Sequence, residues 1–541
     1  MIYFIPAWYQ QDKWCENEQY WYRRRMKTEF DDTVKHIQLF HRSQVYPFQI
    51  VLLSYAPNFR HFLHRQSAFH APYWSCFDAI QEVRRKKIRM FSFHNLSWPE
   101  HIEFVYSPFA MIAMLRGEKY AQVEFGEDGN PIQVDIYQNG LLYRRNIYDD
   151  RGFVSGTIVY ENEIPSYQDY LTDTGVWKLR EFFSDGHVEV NPKCPTYLLQ
   201  YKETEQIKSF QKYTYKCIDE VIQEVFISYL ALTDKQDMFC VAVHELHKNM
   251  LQEALKNKKM ILSFYGERYD IKNCMDQVLP LIKQAKYIIA DSQDTLKRIQ
   301  RRVERKLTNI TDITPFDSRV DLGISQQLNV QKILVPVDGL DEVWFEEVIQ
   351  RLGEYLPINE NAQVHLFTRI ADLGRKRQLL EQTRLCLKKA GLEEGWAEMQ
   401  EQNQIRENYL DGEESVPVRF FVEQCVDELS VSKCVREQRI VVDMRTSADL
   451  YLRIMGISMG IPQIVYRDSQ FIEDGNNGLI LKNPAMLGGA VAYYLDDLKN
   501  WNEAMMYAYE LSKKYTTDIL IDKWKEVINF VGRDSGITAG N

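Results

Sequence analysis

An α/β chain with two Rossmann-like lobes, the first interrupted by an antiparallel β domain, is what three observations predict. Short apolar runs alternate with helical stretches at the start of the chain and again from about Tyr201 onward. Between them, from about Glu100 to Asn191, alternating runs are separated by GEDGNP, QNG and DDRG. Asn-Gly and Asp-Gly accept positive φ, so they mark hairpins. Finally, 541 residues are too many for one hydrophobic core. The expected parts are the first portion of lobe I (1–99), the inserted β domain (100–195), the rest of lobe I (196–328), lobe II (329–500) and a C-terminal helical segment crossing back to lobe I (501–541).

The elements follow in order. IYFIP is a short buried strand, FDDTVKHIQLFHRSQ a helix, and FQIVLLSY a second buried strand, the pattern of a parallel βαβ unit. AQVEF, IQVDIY, LLYRRNIY, FVSGTIVY, VWKLREFF and HVEVNP are the strands of the meander. MFCVAVHEL, KKMILSFYG, AKYIIADS and ITDITPFDSRV resume the α/β alternation, with HKNMLQEALKN and SQDTLKRIQRRVERKL among the helices. Lobe II opens at QKILVPVDGL. It continues through the helix EVWFEEVIQRLGEYL, the strand AQVHLFTRI, a charged helical stretch from about Arg375 to Asn408, and the strands VRFFV and RIVVDM. From about Pro484 to Phe530 the chain is helical by composition and periodicity.

Composition narrows the function classes. A net charge of -10 argues against general nucleic-acid affinity, and the basic runs at Arg23 to Lys27, Arg84 to Lys87 and Arg301 to Lys306 read as solvated faces or protein contacts. The nine Cys include no Cys-x-x-Cys pair, so reduced thiols in the cytosol are expected. The start, MIYFIPAWYQQDKW, has neither a basic leader nor a long apolar core, and no run is long enough to span a bilayer.

Two stretches invite chemistry. HELH follows a strand, but its histidines stand at i and i+3 where a zinc protease needs i and i+4. No metal and no cofactor are expected, and His244 and Glu245 are candidates to line a crevice at a strand's carboxyl end. SADLYLRIMGISMGIPQIV followed by FIEDGNNGLIL has a small-residue helix, a Gly-x-Pro turn, a strand and an Asp-Gly-x-x-Gly loop. Gly460, Pro462, Asp474, Gly475 and Gly478 of this frame are further crevice candidates, because turn amides of this kind can cradle a phosphate.

That frame, from about Gln331 to Tyr515, resembles the C-terminal lobe of retaining glycosyltransferases of GT-B type. The resemblance implies two glutamates eight positions apart and an Arg and a Lys after the first strand of the lobe. Here Ser447 and Met455 stand at the glutamate positions. The segment Val335 to Gln350, with Val337 and Glu342, has no Arg or Lys and five acids: Asp338, Asp341, Glu342, Glu346 and Glu347. A charge-assisted hydrogen bond to phosphate contributes about 1.5–3 kcal/mol, so losing two such cations opposes a diphosphate.

The whole chain, through MIYFIPAWY, SYAPNFRHFLHRQ, EKYAQVEFGEDGNP and the altered C-terminal lobe, resembles the first accessory proteins of the accessory Sec system, which exports serine-rich-repeat glycoprotein adhesins. The resemblance implies a cytoplasmic, non-catalytic adaptor that can be recruited to the inner face of the membrane through its partners. Those implied partners are two sibling accessory proteins, the accessory SecA motor and the glycosylated adhesin. Two other readings stay open on sequence. One is an active glycosyltransferase drawing its acid or base from Glu245, Asp443 or Asp449, and the other is a lectin-like binder of N-acetylglucosamine-bearing adhesin.

Overall fold

Apolar strands that read as continuous runs lie side by side at the centres of two parallel sheets, as the physics of doubly covered sheets requires. In the computed structural model, the described residues are 1–10, 13–14, 30–89, 91–126, 129–303, 307–319, 321–399 and 416–533. The basic run Arg23 to Lys27, the end of the run Arg301 to Lys306 and the far end of the stretch Arg375 to Asn408 lie outside them. Contacts divide the chain into two units. Unit 1 comprises Met1–Ile289, Ile299–Thr311 and Val527–Asn541, and unit 2 comprises Ala290–Arg298 and Asp312–Glu526.

In unit 1 the seven-stranded sheet runs Ile310–Asp312, Tyr287–Ala290, Lys259–Phe264, Met238–Ala242, Ile2–Ile5, Phe48–Leu52, Tyr73–Ser75. Ile2–Ile5 pairs in parallel with both of its neighbours. The chain leaves Ile2–Ile5 toward Phe48–Leu52 and later returns to its other side at Met238–Ala242, so the strand order reverses between Ile2–Ile5 and Met238–Ala242. Such a reversal leaves a crevice at the carboxyl ends of the strands. Asp31 caps the first helix, Asp32–Ser43, by accepting from the backbone N–H groups of Thr33 and Val34.

The meander of unit 1 is a ten-stranded antiparallel sheet from Ile102–Tyr106 at one edge to Thr214–Tyr215 at the other. Asn139 and Gly140 both take positive φ, 52° and 77°, the pairing that a two-residue hairpin turn demands. Buried ion pairs anchor the sheet. Arg151 grips Asp78 at 2.6 Å and Asp149 at 2.7 Å, and Arg60 pairs with Asp150. Tyr170 packs edge-on against Tyr55 at 5.1 Å. Arg85, from a basic run, donates to Gly152 O at 3.1 Å and lies over the Phe153 ring, so part of that run is a protein contact. The strands Ile102–Tyr106, Ala110–Leu115, Ile164–Leu171 and Thr214–Tyr215 add to the six runs expected from sequence.

Unit 2 repeats the doubly wound plan with six strands in the order Phe420–Gln424, Ala362–Thr368, Gln331–Pro336, Gln438–Asp443, Gln463–Val465, Gly478–Ile480. All the neighbouring pairs are parallel. Its core sets Ile333, Val335, Leu366, Phe420, Ile440 and Val442 of the strands against Val348, Ile349 and Leu352 of the helix Glu342–Tyr355. Two expectations need correction. ITDITPFDSRV pairs only over Ile310–Asp312, because Pro315 removes a donor and Asp317 turns away to accept from the Thr517 hydroxyl at 2.8 Å. The charged helix spans Leu373–Lys389 and stops before Gly391, whose φ of +71° ends it.

Candidate functional site: the switch-point crevice of unit 2

The strand order of unit 2 reverses between Gln331–Pro336 and Gln438–Asp443, and charged side chains converge on that place from the ends of three strands. Asp338 lies just past the first strand. Its carboxylate accepts from the Thr368 hydroxyl at 2.8 Å, the Arg369 backbone N–H at 2.7 Å and the Arg375 guanidinium at 3.2 Å. Asp449 caps the helix Leu450–Ser458 through the Leu452 N–H at 3.1 Å. Its other oxygen receives Nε and Nη2 of Arg369 at 3.0 and 2.9 Å.

Deeper lies Asp443, 1% exposed, between two arginines. Arg445 binds it through two parallel bonds, 2.8 and 3.0 Å, and Arg453 pairs with it at 3.2 Å. Burial raises the Asp443 carboxyl, but Arg445 and then Arg453 outweigh it and hold the group below its ordinary value. Burial acts the other way on Arg453 and lowers it. Arg445 also donates to the Asp338 backbone carbonyl at 3.3 Å, which ties the two strands flanking the reversal to each other. Four guanidiniums, of Arg369, Arg375, Arg445 and Arg453, thus meet three carboxylates. The segment Val335 to Gln350 itself has no Arg or Lys, and the cations of this crevice come from later strand ends and from the helix Leu450–Ser458.

The sequence candidates fall into distinct places. Val337 is buried in the core, and Glu342 is exposed on the first turn of its helix. Ser447 is exposed just before the helix Leu450–Ser458, and Met455 is half-buried within it. Gly460, with φ +68°, turns the chain from that helix into buried Pro462 and the strand Gln463–Val465. Asp474 and Gly475 are exposed in a loop that closes on itself. Asp474 accepts from Ile480 N–H at 2.8 Å, and Asn477 accepts from Glu473 N–H at 2.7 Å and donates to Phe471 O at 2.8 Å. Gly478 is required there, because a Cβ would sit 2.3 Å from the Gln463 carbonyl oxygen.

His244 and Glu245 belong to unit 1, at the carboxyl end of Met238–Ala242. His244 Nδ1 accepts from the Leu246 N–H at 3.2 Å, and Glu245 pairs with Lys248. His247 is buried and its Nε2 lies 2.6 Å from the Ala242 carbonyl; burial pushes its pKa down to about 3, so a neutral ring donates. HELH here shapes a turn. Among the described residues no group of three or more His, Cys, Asp or Glu side chains could hold a metal, and no helix is long and apolar enough to cross a membrane.

Nearby, unit 1 carries its own buried cluster at its reversal point. Arg268 makes two bonds to Asp32 and a third contact to Asp31 at 3.3 Å. Trp8 donates to Asp31 at 3.0 Å, and Ser263 hydroxyl donates to Asp32. Neither cluster was assembled from sequence. The usable signal was a charged residue within a few positions of each strand's carboxyl end (Asp338, Arg369, Arg445), together with one arginine in the otherwise apolar LYLRIMGIS.

Comparison with known proteins finds relatives over nearly the whole length of the chain. A family model for accessory Sec system protein 1 matches residues 1–530. The accessory Sec system protein 1 of Streptococcus gordonii is 32% identical over 538 residues, 97% of this chain and 98% of that protein. A crystal structure of accessory secretory protein 1, 2 and 3 in Streptococcus pneumoniae superposes with a TM-score of 0.77 at 27% identity, covering 98% of this chain and 99% of that one. The pneumococcal O-GlcNAc transferase GtfA, solved with UDP and GlcNAc, shares the fold, with a TM-score of 0.71 at 11% identity over 98% of this chain and 99% of that one. The chain therefore belongs to the accessory Sec system protein 1 family, as a component of that system built on a GT-B glycosyltransferase fold.

Proposed function

We propose that this component is non-catalytic and acts as an adaptor. Its partners are two sibling accessory proteins, the accessory SecA motor and the glycosylated serine-rich-repeat adhesin that is delivered for export. One observation carries the reading: the arginines of the unit 2 crevice are engaged by carboxylates of the chain itself. A diphosphate would have to displace Asp338 and Asp449 from their donors while lying beside both negative charges. Each charge-assisted bond lost costs about 1.5–3 kcal/mol, and the like charges add to that. Ser447 and Met455, standing where the resemblance implies glutamates, supply no carboxylate for a nucleotide's hydroxyls. The named pneumococcal complex of proteins 1, 2 and 3 supports sibling partners for this chain.

Isothermal titration of the purified chain with UDP and UDP-N-acetylglucosamine tests the catalytic half, and no saturable heat and no sugar release are expected. Turnover that disappears on Asp449→Asn would overturn it. Co-expression with the two siblings tests the adaptor half, and a complex stable through gel filtration is expected.

A further inference from the structure

Resting on that non-catalytic reading, we propose that Asp338 and Asp449 are resident anions: they occupy the donors of a latent phosphate site and close it to outside oxyanions. The donor set around Asp338 is that of an oxyanion cradle. A backbone N–H, a hydroxyl and a guanidinium converge on one carboxylate from the end of Ala362–Thr368 and the start of Leu373–Lys389. Arg369 joins this carboxylate to the next one, since its backbone N–H serves Asp338 while its side chain serves Asp449. The place is the point of strand reversal, where anionic ligands of doubly wound sheets bind.

The two carboxylates are also the accessible ones. Side-chain exposure is 27% for Asp338 and 16% for Asp449, against 1% for Asp443. Asp443 is fixed by Arg445 and Arg453 beneath and belongs to the fold. With all three carboxylates charged, the four guanidiniums leave one positive charge in excess; neutralising Asp338 and Asp449 would raise the excess to three. Asparagine preserves the shape of both side chains, and at position 449 it preserves the helix cap. The site so uncovered would take a compact polyanion such as pyrophosphate or the diphosphate of a nucleotide.

The test is titration of wild type and of Asp338→Asn/Asp449→Asn with pyrophosphate and with UDP in metal-free, low-salt buffer. The double variant should bind pyrophosphate at least about tenfold more tightly than wild type, about 1.4 kcal/mol, with affinity falling as salt rises. Adding Arg369→Ala to the pair should abolish the gain. A double variant that melts cooperatively but binds no better than wild type overturns the resident-anion proposal and leaves the adaptor reading standing. A gain that survives Arg369→Ala overturns it as well. Wild type that binds UDP as tightly as the double variant overturns both. Should the pair fail to fold, Asp338→Asn alone is scored by the same comparison.

Discussion

The two units solve the same packing problem with opposite charge arithmetic. At the strand reversal of unit 1, one cation, Arg268, lies between two acids, Asp31 and Asp32. At the reversal of unit 2, one acid, Asp443, lies between two cations, Arg445 and Arg453. A doubly wound sheet leaves a crevice at this place, and polar groups buried there have to be satisfied. In both units the chain supplies counter-ions of its own. The sign of the surplus then decides which single changes the structure tolerates.

The largest expected difference comes from removing an acid on each side. Asp443→Asn leaves Arg445 and Arg453 buried without their shared partner, and should cost about 3–5 kcal/mol in urea unfolding. Asp31→Asn should change stability by less than about 1 kcal/mol. Burial and then the charge of Asp32 already push the Asp31 pKa up to about 6, and asparagine still caps the helix. Equal losses for the two variants would break the contrast between the units.

Acid sharpens it next. Burial holds His36 at about 4 and His247 at about 3, so both rings are neutral in folded unit 1. Unfolded, each takes a proton below about 6.5. Their contribution to stability is therefore complete above about 6.5 and is lost as pH falls toward 4 and 3. Asp31 and Asp150, raised by burial to about 6 and about 7, act in the opposite sense over an overlapping range. Replacing one histidine isolates its share: His36→Gln should lose about 2 kcal/mol less than wild type between pH 6.5 and 5, read as the change in unfolding free energy. In unit 2, Asp443, Asp317 and Glu423 are held below their ordinary values, so their contributions persist until the pH falls below the usual carboxylate range. Fluorescence-monitored unfolding at pH 5 should therefore show the substitution acting on unit 1 first. The smallest effect concerns HELH. His244→Ala and added chelator should each shift the melting temperature by less than about 1 °C, and a larger chelator effect would restore a metal to this turn.

Much of the fold was legible because burial on both faces writes strands as unbroken apolar runs. FQIVLLSY and MFCVAVHEL each contain the strand they predict, and RIVVDM covers all but the first residue of Gln438–Asp443. The hairpins of the meander were legible from turn residues whose φ had to be positive. Segments of mixed character were harder. ELSVSKCVR forms the helix Glu428–Arg436 through an Asp427–Ser430 capping box, a local bond that outweighs a weak apolar pattern. The crevice was half legible. The missing glutamates and the acidic first segment could be counted along the chain. The pairing of Arg369 with Asp449 could not, because contacts across strand ends follow sheet order and leave no periodic trace in the sequence.

Asp443, gripped from two sides, also bears on how far this scaffold can drift. A domain stable by about 5–15 kcal/mol cannot give up about 3–5 in one substitution and keep much reserve. To exchange that carboxylate for a catalytic side chain, both guanidiniums beneath it must change at the same time. Mutational routes that change the floor of this crevice therefore cross a valley in stability, and the triad acts as a ratchet that holds its three members together.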